Sequence, residues 1–569
     1  MFPRRPGYVL AAVWLATTVP AHAGPANDAP ENTAQGVVQA AKNGALAQDA
    51  LRRSRAVILA YLKQRDPVTG LLPRTGRDRN WFVQDSAADL YPFLVLASYF
   101  TDREIFERDM QDILRAEIQH SMRVGRLSDN VAAGGGFLYP AIKMDRIVFG
   151  SAEYAKDGLL PLTELLGRTA WTDRMVGIAD DLTTHAPYQS AFGPLPSLST
   201  EVNGDVLQVL TRLAYLTNDE RYVRQAIAIA RFYFEEVIPK SNGLPPHLWD
   251  LTAGKPAADY FNCADHGNEI VGGLSELVLY LKSRGHPLQQ PMTIALTRLV
   301  DLLLKVGLNE DGVWVWKIAC SDHRVIDARH AHCWGYLFNG VYTTHLITGE
   351  ERFRQAVQRA LRAVTDKPTY LDDPAGSGRK YGSNAYSDAL ESAIVFLNRL
   401  PDERQFAVLD ECVARFLARQ RADGIVEDWY GDGNYVRTAL MYALMKSQGA
   451  WIEPWRSDVR LGAARQPAGV VLALEAGKPW AGRLRFDVPR HRLHFNMPVN
   501  YPRLNEFPEW FVVERDALYD VSTNGAARLL SGAELTRGIH LQTDGTAPLV
   551  VQVARRPGPP YATQTGEVR

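Results

Sequence analysis

The chain has 569 residues, 46% of them hydrophobic and 22% charged, with 63 Lys and Arg against 64 Asp and Glu. That is the balance of a globular protein and excludes a disordered chain, a collagen-like repeat or a coiled-coil rod. A net charge of -1 excludes a large basic field for nucleic acid, leaving room for a local patch. The 12 Trp, 23 Tyr and 20 Phe lie often beside carboxylates and glycines. Such rings either pack in a core or face the apolar side of a sugar.

Arg4 and Arg5, the apolar stretch from Tyr8 to Val19, and Ala21-His22-Ala23 form the three-part pattern of a secretory signal. The apolar stretch is shorter than the ~20 residues of a spanning helix. The expectation is a signal over 1–23, a secreted or periplasmic protein with no membrane partner, and a flexible leader over 24–45.

Residues 46–455 read as helices with a recurring rhythm. An apolar helix ends in a polar turn and an amphipathic helix follows, as in LAYLTNDERYVRQAIAIARFYFE (213–235), THLITGEERFRQAVQRALRAV (344–364) and LASYFTDREIFERDMQDIL (96–114). Gly-led apolar or aromatic loops recur at Gly70, Gly243, Gly312 and Gly424. Repeated hairpins stack on one another, and the long, uneven loops favour a closed toroid over an open solenoid. From 456 to 556 the pattern changes to short alternating segments (469–474, 482–488, 492–499, 510–514, 539–543, 548–554) with Gly, Pro and Asn turns, as in a small antiparallel sandwich. Residues 557–569 read as a flexible tail.

In the hairpin turns (LTNDERY, ITGEERF), the Gly-aromatic loops and the trailing sheet domain, the chain resembles the six-hairpin glycosidase superfamily. The resemblance implies an (α/α)6 toroid with a β-sandwich, and a carbohydrate-active enzyme. It is architectural and assigns no catalytic residue.

Glycosidic hydrolysis needs a carboxylic acid and a carboxylate, so acids among aromatics, Gly and His are the candidates. Trp81 and Asp85 lead on to Asp89. A second cluster holds Asp145, Glu153, Lys156 and Asp157, and a third Glu201, Asn203 and Asp205. The densest segment is Tyr260, Asn262, Asp265, His266, Asn268 and Glu269, entering an apolar helix. Helix capping is the competing explanation for these acids. Tyr386, Asp388 and Glu391 follow, then Trp429, Tyr430, Asp432, Asn434 and Arg437 in a Gly-rich loop. His332, Trp334 and Tyr336 are further cleft candidates, with Trp314 a candidate for stacking. The catalytic set is Asp265, Glu269, Asp388, Asp432 and His266, pairing Asp265 or Glu269 with Asp388 or Asp432.

No cofactor is called for. Cys320, His323, His330 and Cys333 have spacings that suit a structural zinc, but export equally permits a Cys320–Cys333 disulfide. No P-loop, Rossmann fingerprint, G-x-S-x-G or H-E-x-x-H occurs. Three functions remain open, each with a poly- or oligosaccharide as partner. They are a glycoside hydrolase, a lyase or uronyl epimerase using Tyr/His with Asn/Arg neutralisation, and a non-catalytic glycan binder.

Overall fold

A computed structural model describes residues 29–372, 382–426 and 430–557. The helices alternate between an outer and an inner layer. The outer ones are α1 (Ala29–Leu62), α3 (Arg103–Glu107 and Asp109–Ser121), α5 (Ala170–Thr184), α7 (Glu220–Arg231 running on to Lys240), α9 (Gln289–Val306), α11 (Glu351–Asp366) and α13 (Glu403–Leu417). The inner ones are α2 (Val83–Leu90 running into Tyr91–Thr101), α4 (Met144–Glu153 running on to Leu166), α6 (Thr200–Thr217), α8 (Asn268–Ser283), α10 (Trp334–Thr348), α12 (Gly382–Arg399) and α14 (Asp432–Lys446). Each inner helix packs on the next, and α14 packs back on α2. Among the described residues the ring therefore has seven hairpins, where six were expected.

The two layers follow from the sequence. α11 buries one stripe, Phe353, Ala356, Val357, Ala360, Leu361 and Val364, at helical spacing. α10 is buried nearly all round because it lies between its neighbours, α11 and the bore. Asn218 and Gly349 end α6 and α10 in the left-handed region, and Asp102, Asp219 and Asp402 cap the helices that follow them. α6 and α8 approach closely at Gly204, where a Cβ would stand 2.3 Å from the backbone of Glu269 and Ile270. Gly204→Ala is expected to destabilise the protein by about 1–3 kcal/mol through overpacking, read as a lower Tm.

Residues 29–45, expected as a flexible leader, form the first half of α1. Its small residues lie on a sheet of the C-terminal region: Gly44 meets the backbone of Gly462, and Asn43 Nδ2 donates to the Ala463 carbonyl at 2.7 Å. The segment expected as a signal (1–23) and most of the expected tail lie outside the described residues. No described helix is long and apolar enough to cross a membrane.

The C-terminal region holds two antiparallel sheets. One has the strand order Val459–Gln466, Gly469–Ala476, Leu549–Arg555, Leu518–Thr523, Ala526–Ser531; the other has Trp451–Glu453, Trp480–Arg485, Ile539–Thr543. A second core lies between them, with Val459, Leu472 and Val551 from one sheet and Ile452, Leu484 and Leu541 from the other. Two expected strands are absent. Arg490–Phe495 is a short helix, and 510–514 makes only an isolated bridge at Val512. The hairpin 518–531 went unread because its outward residues are polar or exposed.

The stretch from Phe495 to Trp510 leaves the sandwich and joins the toroid core through Phe495, Met497, Tyr501, Phe507 and Trp510. It plugs the bore at the C-terminal ends of the inner helices. Arg503 pairs with Glu164, Tyr501 Oη donates to Glu276 at 2.9 Å, and Arg399 pairs with Glu506 at 2.7 Å.

Candidate active site

The inner helices share one direction, so their N-terminal ends meet on one side of the ring. A cavity of about 120 Å³ opens there, lined from all seven. α2 gives Asp89. α4 gives Glu153, Lys156 and Asp157, and α6 gives Glu201. The turn before α8 gives Asp265 and His266, and α8 itself Glu269. α10 gives Tyr336, α12 Asn384 and Asp388, and α14 and its preceding turn Tyr430, Asn434 and Arg437. The plug supplies Leu504 and Asn505 as the floor. Helix N-termini carry partial positive charge, which helps this end of the ring hold many carboxylates. Two inner helices contain π-helical turns, Val83–Leu90 and Tyr154–Leu159, a feature common at functional sites. They carry Asp89, Lys156 and Asp157.

One charge network runs around the wall. His332 Nε2 lies 2.9 Å from Asp265 and 3.4 Å from Asp388. Burial opposes its charge, but the two carboxylates outweigh this and hold the imidazolium up to about 10. In return, although burial raises the Asp265 carboxyl, His332 holds it well below the usual carboxylate range. Asp388 also accepts from Tyr336 Oη and Arg437 Nη2, each at 2.8 Å. Arg437 extends to Glu391 at 3.0 Å, which burial pushes up to about 7.

The second network surrounds Lys156, whose Nζ lies 2.9 Å from Asp157 and 3.1 Å from Asp205. Glu269 stands beside it. Burial lifts its carboxyl well above the ordinary value, Lys156 opposes this, and Asp205 and Glu201 add to it. Glu269 Oε2 has no hydrogen-bond partner among the described residues, so a buried carboxyl whose acid form is favoured lines the cavity. His266, at φ 74°, reaches Glu201 through Nδ1. Its side chain is 53% exposed, and the neighbouring carboxylates of Glu201 and Asp265 favour its charged form. The turn depends on Gly267, where a Cβ would stand 2.0 Å from the Asn262 carbonyl.

Of the expected residues, Asp265, His266, Glu269, Asp388, Glu201, Tyr336, Tyr430, Asn434 and Arg437 do line the cavity, and His332 lies just behind Asp265. Others do not. Asp432 accepts from Tyr61 Oη at 2.9 Å and the Val426 amide at 2.6 Å, so it fixes the start of α14. Asp85 pairs with Arg74 at 2.7 Å. Asn262 braces the turn through the Asp265 carbonyl. Trp81, Trp314 and Trp334 are buried in the core, Tyr386 packs under Arg419, and Tyr260 stacks on His247. Trp429 lies outside the described residues. Asn505 was missed: no local signal marks it, and it arrives from the other domain.

The proposed zinc set does not converge. His323 Nε2 meets the Asn242 carbonyl at 2.8 Å and His330 packs on Tyr370. Cys320 and Cys333 are free and buried, so they form no disulfide. Asp265, His332 and Cys333 instead bring three donor atoms within 4.8 Å of one another, a set a zinc ion could use. Here the imidazolium bridges the two carboxylates, and burial raises the Cys333 thiol well above its ordinary value.

A larger cleft of about 780 Å³ opens between α2 and the sandwich. Arg55, Arg103, Arg456 and Arg485 there are engaged with Asp102, Glu107, Asp458 and Glu453, and it gathers no pair of carboxyls with opposed protonation.

No family model and no curated protein matches the chain. Solved structures do. An α-1,2-mannosidase from Trichoderma reesei is 12% identical with a TM-score of 0.48, over 71% of this chain and 93% of that one. A cellobiose 2-epimerase from Bacillus thermoamylovorans B4167 is 14% identical with a TM-score of 0.42, over 56% and 87%. An unsaturated glucuronyl hydrolase from Bacillus sp. GL1 is 11% identical with a TM-score of 0.39, over 55% and 89%. They belong to the class of six-hairpin-glycosidase-like enzymes that the sequence resembles. At these values they carry no argument about reaction or substrate.

Proposed function

We propose that the protein is an exported glycoside hydrolase acting on a neutral poly- or oligosaccharide, with Glu269 as proton donor and Asp265 as the carboxylate that activates water or attacks the sugar. One observation carries this reading. Two carboxyls four residues apart face one cavity, and their surroundings displace them from the ordinary carboxylate range in opposite directions. That separation is the requirement of glycosidic hydrolysis, and it needs no cofactor. Export rests on the basic, apolar and small-residue pattern over 1–23.

Two features weigh against a lyase or epimerase. Such chemistry needs a neutral base, yet His266 and His332 are both held as imidazolium, and burial raises the Tyr336 phenol. It is also helped by a free Lys or Arg against the uronate carboxylate. Lys156 and Arg437 are already committed to Asp157, Asp205, Asp388 and Glu391. A strongly perturbed buried carboxyl in a cavity favours catalysis over binding alone.

Incubation with neutral and uronate-containing polysaccharides tests the reading. New reducing ends are expected from a neutral glycan. An ultraviolet-absorbing unsaturated uronate, or a changed epimer without chain cleavage, would refute it. The pH profile follows from the two carboxyls. Glu269 must be protonated, so kcat falls as pH rises through its elevated pKa. Asp265 must be ionised, so activity persists toward acid until its depressed pKa is reached. A rate that increases with pH across the alkaline side would contradict the assignment.

A further inference from the structure

We infer that the enzyme is exo-acting: it admits only the non-reducing terminal unit of a glycan and releases it as a monosaccharide. The bond broken rests on the hydrolase reading above; the selection of a chain end rests on shape alone.

The cavity is blind. Its floor is Leu504 and Asn505, and the Asn505 backbone N–H and side-chain amide are both engaged. The Asn505 amide donates to Glu391 at 2.7 Å. Its side-chain Nδ2 donates to Asp157 Oδ1 at 3.0 Å, and its Oδ1 accepts from Arg437 at 2.8 Å. Beneath the floor the bore is filled by Tyr501 and Arg503, locked to Glu276 and Glu164. The void left there, between Glu269, Glu276 and Leu504, is about 10 Å³, room for roughly one water. The walls are closed because the inner helices touch all the way round. Among the described residues a chain therefore has no exit through the ring or between its helices.

The space is also small. The cavity of about 120 Å³ equals the volume of about four waters at liquid density, space for no more than one sugar unit. The chemistry sets which end enters. The developing positive charge is on the ring whose anomeric carbon is attacked, and the carboxylates that stabilise it line the cavity. The buried unit is therefore the glycosyl donor, and the departing oxygen with the rest of the chain points out of the mouth. One water is consumed. Its oxygen bonds to the anomeric carbon as the glycosidic bond breaks, the proton of Glu269 passes to the departing oxygen, and a proton of the water passes to the carboxylate.

The test uses short manno-, gluco- and xylo-oligosaccharides in two forms. One carries a fluorescent label on the reducing end; the other carries a methyl ether on the hydroxyl by which the chain would extend at the non-reducing end. Cleavage by the full-length protein is expected to shorten the labelled form one unit at a time from the first time point, with the capped form cleaved about a hundredfold more slowly. Internal cuts among the earliest products, or equal cleavage of the two forms, would overturn the inference. Both forms are also titrated onto the Glu269→Gln protein. If nothing is cleaved yet the labelled form alone binds, the hydrolase reading fails and the blind pocket stands. Equal binding of both forms, or binding of neither, overturns the pocket reading itself.

Discussion

Glu269→Gln is expected to lower kcat by about 10²–10⁴-fold, the usual contribution of a general acid, while leaving Tm nearly unchanged. Glutamine keeps the shape of the side chain, and Oε2 has no hydrogen-bond partner to lose. Burial disfavours the charged form of Glu269, so a neutral amide costs the fold little. The diagnostic is the leaving group. A natural glycoside needs its oxygen protonated; an aryl glycoside with an acidic phenol does not. The variant should retain far more activity on the aryl glycoside, and its alkaline limb should disappear. Asp265→Asn should instead lose both substrates alike, since it removes the charge that faces the sugar. Equal loss on both substrates for Glu269→Gln would take the proton-donor role away from it.

The second large effect concerns the plug. Arg503 is fully buried and its partner Glu164 nearly so. Removing one member of a buried pair typically costs 3–5 kcal/mol, because the other charge is left without compensation. Arg503→Met is expected to cost about 3 kcal/mol, the low end, since Arg490 stays 3.9 Å from Glu164. Urea unfolding followed by tryptophan fluorescence reads it. The pH dependence has a definite sign. Burial raises the Glu164 carboxyl, but Arg503 and Arg490 outweigh it and hold it down to about 2, against an ordinary 4.5. A depressed carboxyl contributes stability that is present above its unfolded pKa and is lost as pH falls toward the folded one. Wild type should therefore lose stability between about 4.5 and about 2. Arg503→Met should lack most of that acid-dependent loss. An unaltered acid transition would mean the pair contributes nothing.

How much of this was legible in the sequence depended on distance along the chain. Asp265, His266 and Glu269 were found because they sit within five residues at the start of one apolar helix. Asp388 was found by the same local logic. Asp432 was misread by it: an acid at a Gly-rich helix start is equally a backbone anchor, and its partner Tyr61 lies 371 residues away. The aromatics misled most. Trp81, Trp314 and Trp334 lie near glycines, acids or histidines as rim residues would, yet each is buried, because a ring of helices needs bulky side chains between its layers. The seventh hairpin was not expected because the number six came from the resemblance and not from a count of repeats along the chain. Asn505 had no signal at all. Its role exists only when the last part of the chain lies against the first, and periodicity carries nothing about that.

The threaded plug imposes an order of events on folding. Glu164, Glu276, Glu391 and Asp157 all find partners among residues 501–505, and α14 must meet α2 across some 350 residues of chain. Until that late segment arrives, the ring would enclose carboxylates lacking those partners, which is costly in a dry interior. The hairpins, whose pairings are local, can form before the C-terminal region docks, but the carboxylates of the bore reach their full set of partners only once residues 501–505 are in place.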